Sequence, residues 1–269
     1  MSYKIPDFEE VERKISMGRE KHRIPPDKNE IKFITEDILS ILFPLYFYSS
    51  SEEAVTISDV YIRICNQISV ALKFSMNEDD RASAEAEKFI KMLPDIKSLL
   101  LKDIEALYMG DPAAVCQEEV LLSYPGFYAI AIYRIAHCLY EQNIPLIPRV
   151  MTEYAHEKTG IDIHAGAKIG EYFFIDHGTG IVIGETTTIG NNVKIYQGVT
   201  LGAKSFELDE NGNPIKGTKR HPDIGNNVII YANATILGGN TKIGDRCVIG
   251  GNVWLTHSVE AGEKIYYKQ

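Results

Sequence analysis

The sequence predicts an α+β protein in which an all-helical N-terminal domain, residues 1–158, precedes a left-handed parallel β-helix, residues 159–269. Two changes along the chain predict this division. Of the 21 glycines, 18 lie at or beyond Gly160. From Ile163 onward aliphatic residues recur every six positions, whereas the apolar residues before it follow helical spacing.

The N-terminal domain is predicted from amphipathic periodicity. Apolar residues spaced as on one helix face predict helices over 54–74, 82–93 and 127–140. The polar segments 51–53 and 77–80 have the composition of helix caps, and Pro94 is expected to end a helix.

The β-helix is predicted from the period of six, because neither a helix nor an ordinary strand produces it. The series slips by two residues after Ile175 and by one after Ile236. Six residues for each of three sides give a triangular prism that buries one aliphatic side chain per side. A sandwich with glycine-rich turns is the alternative, but so regular a series favours the prism. The thirteen aliphatic residues are Ile163, Ile169, Ile175, Ile183, Ile189, Ile195, Leu201, Ile224, Ile230, Ile236, Ile243, Ile249 and Leu255.

One inserted loop, residues 204–219, interrupts this series. It is polar and contains the turn sequence Asn211-Gly212-Asn213-Pro214. Insertions of this kind project from one face of a repeat fold, and that face is often the binding face.

Composition limits the function classes. The net charge of −9 argues against nucleic-acid binding, which requires a basic surface. The first seven residues lack the apolar core of a signal peptide, and no apolar run is long enough to span a bilayer. We therefore expect no membrane association. The four cysteines are scattered, so we expect free thiols, which are typical of a cytoplasmic protein.

Three histidine-containing segments stand out within the β-helix: 162–164, 176–180 and 220–222. One coil contains roughly 18 residues, so residues near 162 and 177 can meet on adjacent coils. A carboxylate beside an imidazole raises the basicity that a general base needs. The Asp162–His177 pair is therefore a candidate catalytic pair.

From Asp111 to about Gly251 the sequence resembles the serine acetyltransferases of the hexapeptide-repeat superfamily. Two segments are particular to serine as the acceptor, Asp162-Ile163-His164 and the run from Asp176 to Thr186. The other matching segments are Tyr124-Pro125-Gly126-Phe127, Tyr133 to His137, Ala167 to Gly170, Gln197 to Gly202 and Arg220-His221-Pro222.

The resemblance implies a serine O-acetyltransferase of cysteine biosynthesis that uses acetyl-CoA. His177 would be the general base that takes the proton from the serine hydroxyl, and Asp162 would orient its imidazole. His221, on a neighbouring coil or subunit, would complete the site near the reacting oxygen. We expect His137 and His164 to be structural.

Substrate and cofactor positions are implied in the same way. Arg220 would hold the serine carboxylate, for which a planar guanidinium is well shaped, while Asp111 and Asp176 would bind its ammonium group. Acetyl-CoA would lie along the β-helix between two subunits, and no metal is expected. The candidate cofactor contacts are Gly202, Ala203 and Ala232.

Three alternative functions remain open from the sequence. An acetyltransferase for another small hydroxyl acceptor would share the fold. A γ-type carbonic anhydrase would share the repeat, but its paired histidines stand five residues apart and no two histidines here do. A non-enzymatic repeat scaffold is the third alternative.

The resemblance also implies partners. A β-helix with its site between subunits implies a homotrimer or a dimer of trimers, and L-cysteine is an expected inhibitor because it resembles serine. Many family members continue into a tail that ends in isoleucine and inserts into O-acetylserine sulfhydrylase. This sequence has Tyr266-Tyr267-Lys268-Gln269 soon after its last coil, so we do not expect that complex.

Overall fold

The computed structural model of the protein describes residues 7–16, 24–47, 54–77 and 80–267. None of the helices in these ranges is both long and apolar enough to cross a membrane. Within the described ranges seven helices come first: α1 (Glu9–Ser16), α2 (Lys28–Leu42), α3 (Ile57–Met76), α4 (Ala82–Gly110), α5 (Gln117–Ser123), α6 (Pro125–Glu141) and α7 (Ile147–Thr159).

Fourteen short strands follow in the same described part, and they form the three sides of a prism. Sheet A contains β1 (Asp162–Ile163), β4 (Val182–Ile183), β7 (Thr200–Gly202), β10 (Thr235–Leu237) and β13 (Trp254–Leu255). Sheet B contains β2 (Lys168–Ile169), β5 (Thr188–Ile189), β8 (Asp223–Ile224) and β11 (Lys242–Ile243). Sheet C contains β3 (Phe174–Asp176), β6 (Lys194–Tyr196), β9 (Ile229–Ile230), β12 (Val248–Ile249) and β14 (Lys264–Ile265). The predicted parallel β-helix is confirmed.

The thirteen aliphatic residues of the six-residue series stack in register inside the prism. In sheet A the successive partners are Ile163, Ile183, Leu201, Ile236 and Leu255. Sheets B and C stack the other eight in the same way. All are buried except Ile169, which is partly buried. Each fully buried side chain contributes roughly 1.5–3 kcal/mol, so the stack accounts for the regularity of the series.

The chain turns from one sheet to the next along three edges, which we name B–C, C–A and A–B after the sheets that they join. Every step across the B–C edge is six residues long, and Asn226 Oδ1 accepts a hydrogen bond from the Asn191 backbone N–H at 2.8 Å there. The C–A edge contains the two-residue slip after Ile175. The A–B edge contains the inserted loop and the one-residue slip after Ile236. The irregular edges are therefore C–A and A–B.

Helix α6 is fastened to the first turn of the β-helix by hydrogen bonds to backbone. The Tyr133 hydroxyl donates to the Ala167 carbonyl oxygen at 2.5 Å, and His137 Nδ1 bonds the Ala165 carbonyl oxygen at 2.7 Å. The two rings stack with centroids 5.5 Å apart. His137 is thus a structural residue, as expected.

Helix α4 departs from the sequence expectation, because it continues through Pro94 to Gly110. A proline inside a helix removes one backbone hydrogen bond and normally bends or ends the helix. Here the neighbouring Leu93 and Ile96 are buried in the core, and this burial offsets the lost bond. The prediction that the helix ends at Pro94 was wrong.

The helix caps of the structure also differ from those predicted from the sequence. Asn77 ends α3 in a left-handed conformation, with φ of 59°, and is not the N-cap of α4, which is Arg81. Thr56 and Asp59 form a capping box at the start of α3. The cap predicted at 51–53 lies outside the described residues.

Candidate active site

His177 projects from the C–A edge because the two-residue slip falls on it. After β3 the chain inserts His177 and Gly178, whereas the coil above passes directly from Tyr196 to Gln197 and Gly198. His177 adopts a left-handed conformation with φ of 56°, and its side chain is 71% exposed. Gly178 also has a positive φ, of 88°, and a Cβ there would lie 2.4 Å from Ile161 Cδ1. The insertion therefore lifts an imidazole off the regular surface.

Two carboxylates lie near this imidazole. Asp176, the last residue of β3, places Oδ1 3.7 Å from His177 Nε2. Asp111, the C-cap of α4, accepts hydrogen bonds from the Tyr124 hydroxyl at 2.5 Å and the Ala113 N–H at 2.8 Å. These two bonds, helped by the nearby His177, lower the pKa of Asp111. The carboxylates of Asp111 and Asp176 thus offer negative charge where the resemblance implies an ammonium group.

The A–B edge carries Arg220 at the end of the inserted loop. Its Nη2 is ion-paired with Glu185, and its Nη1 donates to the Thr218 carbonyl oxygen at 3.4 Å. The Tyr140 hydroxyl of α6 donates to the other oxygen of Glu185 at 2.9 Å. Although burial raises the pKa of Glu185, the bonds from Arg220 and Tyr140 outweigh it and lower that pKa overall. Arg220 Nε has no hydrogen-bond partner among the described residues, so this donor of the guanidinium remains unused there.

His221 lies next to Arg220 and is buried, with 7% of its surface exposed. Its Nδ1 accepts a hydrogen bond from the Thr186 N–H at 3.1 Å and lies 2.9 Å from Thr186 Oγ1. Burial, with the nearby Arg220 guanidinium, lowers the pKa of His221 from 6.5 to about 4. The imidazole is therefore neutral near pH 7.

This lowered pKa predicts a loss of stability in acid. The unfolded chain binds a proton at His221 as the pH falls through 6.5, whereas the folded chain resists it until about 4. Because the unfolded state then binds more protons, the free energy of unfolding should fall as the pH drops through that window. Urea unfolding at several pH values checks this. His221→Gln should flatten the pH dependence, and an unchanged slope in that variant would contradict the assignment.

A polar cavity of about 300 Å³ adjoins Arg220 on the A–B edge. It is lined by the loop and by the turn after β10, including Lys204, Lys219, Gly238 and Gly239. The Lys219 ammonium is already bound to Asp223 at 2.6 Å. The predicted cofactor contacts lie on two different edges. Gly202 and Ala203 directly precede Lys204 of this cavity, whereas Ala232 lies in the turn after β9 on the C–A edge.

Asp162 lies in β1 of sheet A beside Val182 of β4, and its side chain approaches helix α7. Its carboxylate approaches Glu153 and His156, with the ligand atoms of all three within 4.8 Å of one another. Among the described residues Asp162 has no hydrogen bond or ion pair with His177. The structure therefore gives the predicted pair no direct contact within one chain, and the pair stays a prediction.

The group of Glu153, His156 and Asp162 is also where the described residues could hold a metal ion. Neither His177 nor His221 belongs to it. A zinc site at either of these histidines would therefore need ligands beyond this group.

His164 is half-buried and accepts a hydrogen bond from the Gly166 N–H at 3.0 Å, as expected for a structural residue. The residues that the sequence did not assign are Tyr124, Tyr140, Glu185 and Thr186. Each lies in or beside a matched segment, but none has a chemical signature of its own. Their contacts join segments 13 to 45 positions apart, which no local pattern reveals.

The candidate residues thus form two groups on two edges of one prism. Asp111, Asp176 and His177 lie at the C–A edge, whereas Arg220 and His221 lie at the A–B edge. No hydrogen bond or ion pair links the two groups within the described chain.

No protein-family model matches the chain, but known proteins and solved structures resemble it. A serine acetyltransferase described as plasmid-borne, from Synechococcus elongatus, is 44% identical over 267 residues, covering 91% of this chain and 82% of that protein. The crystal structure of Entamoeba histolytica serine acetyltransferase 1 in complex with L-cysteine has a TM-score of 0.75 and 39% identity, covering 87% of this chain and 86% of that one.

A serine acetyltransferase solved in complex with CoA has a TM-score of 0.58 and 28% identity, covering 88% of this chain and 95% of that one. The fold is accordingly the left-handed β-helix that the sequence predicted. Sequence and structure together show that the chain belongs to the serine acetyltransferase family, whose members are acyltransferases.

Proposed function

We propose that the protein transfers the acetyl group of acetyl-CoA to the hydroxyl of L-serine, with His177 as the general base. The observation that carries this proposal is an exposed imidazole near two carboxylates at one edge, together with a guanidinium that has an unused donor at another. A zwitterionic acceptor needs a cation, an anion and a base near its side chain. Asp111, Asp176, Arg220 and His177 supply that set.

In the proposed reaction His177 takes the proton of the serine hydroxyl while its oxygen bonds to the thioester carbonyl carbon. The carbonyl electron pair moves onto oxygen, which becomes an oxyanion. When the oxyanion collapses, the carbon–sulfur bond breaks and the thiolate receives the proton from His177. The products are O-acetylserine and CoA. Asp162 would stabilise the charged imidazole after the side chains adjust, since the two are not in contact in this structure.

We also propose that each complete site forms between two copies of the chain. The C–A edge of one copy would face the A–B edge of the next, which brings His177 close to His221 and places the cavity at Lys204 beside them. A heterologous contact of this kind can close into a ring, and we propose that the three-sided prism closes as a homotrimer with three sites. The helical domain, residues 1–158, would then join two such trimers, as in the family.

The activity is tested by measuring CoA release with L-serine against a panel of other hydroxyl acceptors, and then with added L-cysteine. We expect turnover with serine and inhibition by cysteine. Stoichiometric zinc bound by His177 or His221, or preference for another acceptor, would refute the proposal.

The shared site is tested by co-expressing two inactive variants, His177→Ala and His221→Ala. In randomly mixed trimers about one quarter of the sites would pair two intact edges, so activity should return to that level. Co-expression of His177→Ala with Asp176→Asn is the control, because both changes lie on the same edge and no site should regain both groups. No recovery in the first mixture would rule out a site between copies.

Tyr140 provides a test of how Arg220 is held. Tyr140→Phe removes the hydrogen bond to Glu185, so the guanidinium loses part of its support and serine should bind more weakly. We expect KM for serine to rise roughly 3- to 10-fold with little change in kcat, the effect of one hydrogen bond. Tyr61→Phe is the matched control, because the hydroxyl of Tyr61 contacts Ser83 in the helical domain, away from the candidate site. An equal effect in both variants would contradict this role.

A further inference from the structure

We infer that Thr186 holds His221 in the tautomer that carries its proton on Nε2, so that His221 donates a hydrogen bond to the acetyl carbonyl oxygen and does not act as a second base. This inference rests on the proposed function for the identity of the oxygen. The tautomer itself follows from the contacts of Thr186 alone.

The hydroxyl of Thr186 can donate its hydrogen bond to only one acceptor among the described residues. Its Oγ1 accepts hydrogen bonds from the backbone N–H groups of Arg220 at 3.0 Å and His221 at 3.1 Å. A hydroxyl has two acceptor positions and one proton. With both acceptor positions occupied, the proton is left for His221 Nδ1, 2.9 Å away.

A second donor reaches the same ring nitrogen. The Thr186 backbone N–H, which can only donate, lies 3.1 Å from His221 Nδ1. Because Nδ1 receives two donors, it cannot carry a proton of its own. A neutral imidazole then has its single proton on Nε2.

The surroundings keep the ring neutral and in place. His221 is buried, and the cationic Arg220 and Lys219 disfavour a second proton on the ring, although Glu185 opposes them. Nε2 has no hydrogen-bond partner among the described residues. It lies over Gly184, where a Cβ would be only 2.2 Å from Nε2, so glycine is required for the ring to occupy this position.

A buried, neutral N–H donor suits a developing oxyanion. In the proposed reaction the negative charge forms on the carbonyl oxygen before the carbon–sulfur bond breaks. A donor already fixed in position stabilises that charge without reorganising. This assigns the base to the exposed His177 and the donor to the buried His221, so the two histidines have different roles.

Substitutions at His221 separate a donor from a base. Glutamine places an amide N–H near the position of Nε2 but cannot take up a proton, whereas asparagine and alanine do not reach it. If His221 is a donor, His221→Gln should keep kcat within about 10-fold of the wild type, as for one imperfect hydrogen bond. His221→Ala and His221→Asn should lose about 10²- to 10³-fold, the effect of removing an oxyanion donor. Equal losses in all three variants would overturn the donor role.

Substitutions at Thr186 test the tautomer. Thr186→Ser keeps the hydroxyl and should leave kcat nearly unchanged, whereas Thr186→Val loses it and should lower kcat about 5- to 10-fold. The ¹⁵N spectrum of histidine-labelled wild-type protein should show His221 Nδ1 unprotonated and Nε2 protonated. A protonated Nδ1, or equal kcat in Thr186→Val and the wild type, would overturn the inference. The spectrum needs no turnover, so a wild type inactive toward serine would refute the proposed function while the tautomer is still decided.

Discussion

His177→Ala should lower kcat by about 10²- to 10⁴-fold, which is the usual contribution of a positioned general base. The side chain is 71% exposed, so its removal should cost little packing. CoA release at saturating serine measures the effect, and thermal unfolding measures the stability.

A second variant, His177→Asn, controls for the backbone. His177 has a positive φ, and asparagine adopts this conformation elsewhere along the same edge of the β-helix, as at Asn233 and Asn252. Asparagine should therefore preserve the turn and still lose the base. His257→Ala, at an exposed histidine outside the candidate site, should leave kcat unchanged. If His177→Asn kept more than about a tenth of wild-type kcat, another group would have to be the base.

The β-helix was predictable because its core repeats. One aliphatic residue per side must be buried in each coil, so the sequence records the fold with a period of six. The steps that depart from six also carried information. Every step across the B–C edge, where no candidate residue lies, keeps the period of six. The breaks at His177, at the loop before Arg220 and after Ile236 lie on the two edges with candidate residues.

The contacts within the site were not predictable in the same way. Glu185 and Thr186 follow Gly184 in a regular turn, and nothing in their spacing indicates that they hold Arg220 and His221 from 35 positions away. The loop of residues 204–219 brings these pairs together, and loop geometry leaves no periodic trace. The Asp162 side chain approaches helix α7 in this structure, and its predicted pairing with His177 stays a prediction.

The helical domain was predicted least well, because its helices are determined by packing against one another and against the first coil. Helix α4 passes through Pro94 because the residues around it are buried. Local signals favour a boundary there. Tertiary burial outweighs them, and the extra length carries Asp111 to the C–A edge.

Breaking the buried ion pair between Asp103 and Arg134 should produce the largest loss of stability. Asp103 is fully buried, and Arg134 is 5% exposed. Arg134 donates to Asp103 through Nε at 2.5 Å and through Nη2 at 2.8 Å, and it also donates to the Gly170 carbonyl oxygen at 2.8 Å. The Phe173 backbone N–H donates to Asp103 at 3.0 Å. The pair therefore joins α4, α6 and the first coil.

Asp103→Asn would leave the Arg134 charge buried without a counter-charge, so we expect the free energy of unfolding to fall by about 3–5 kcal/mol. Urea denaturation at one protein concentration measures this, since association also contributes to apparent stability. Glu87→Gln is the control, because it breaks the exposed Glu87–Lys91 pair on the same helix, and it should have little measurable effect.

The double variant Asp103→Leu, Arg134→Met distinguishes an unpaired charge from lost packing. Two apolar side chains of similar size remove both charges together, and such replacements are often neutral or stabilising. Because this replacement also removes the partners of the Phe173 N–H and the Gly170 carbonyl oxygen, we expect part of the lost stability to return. Asp111 ends the helix that carries Asp103, and Tyr124 precedes the helix that carries Arg134. If the pair also aligns these helices, KM for serine should be raised in Asp103→Asn and in the double variant, whereas a wild-type KM in the double variant would limit the pair to a structural role.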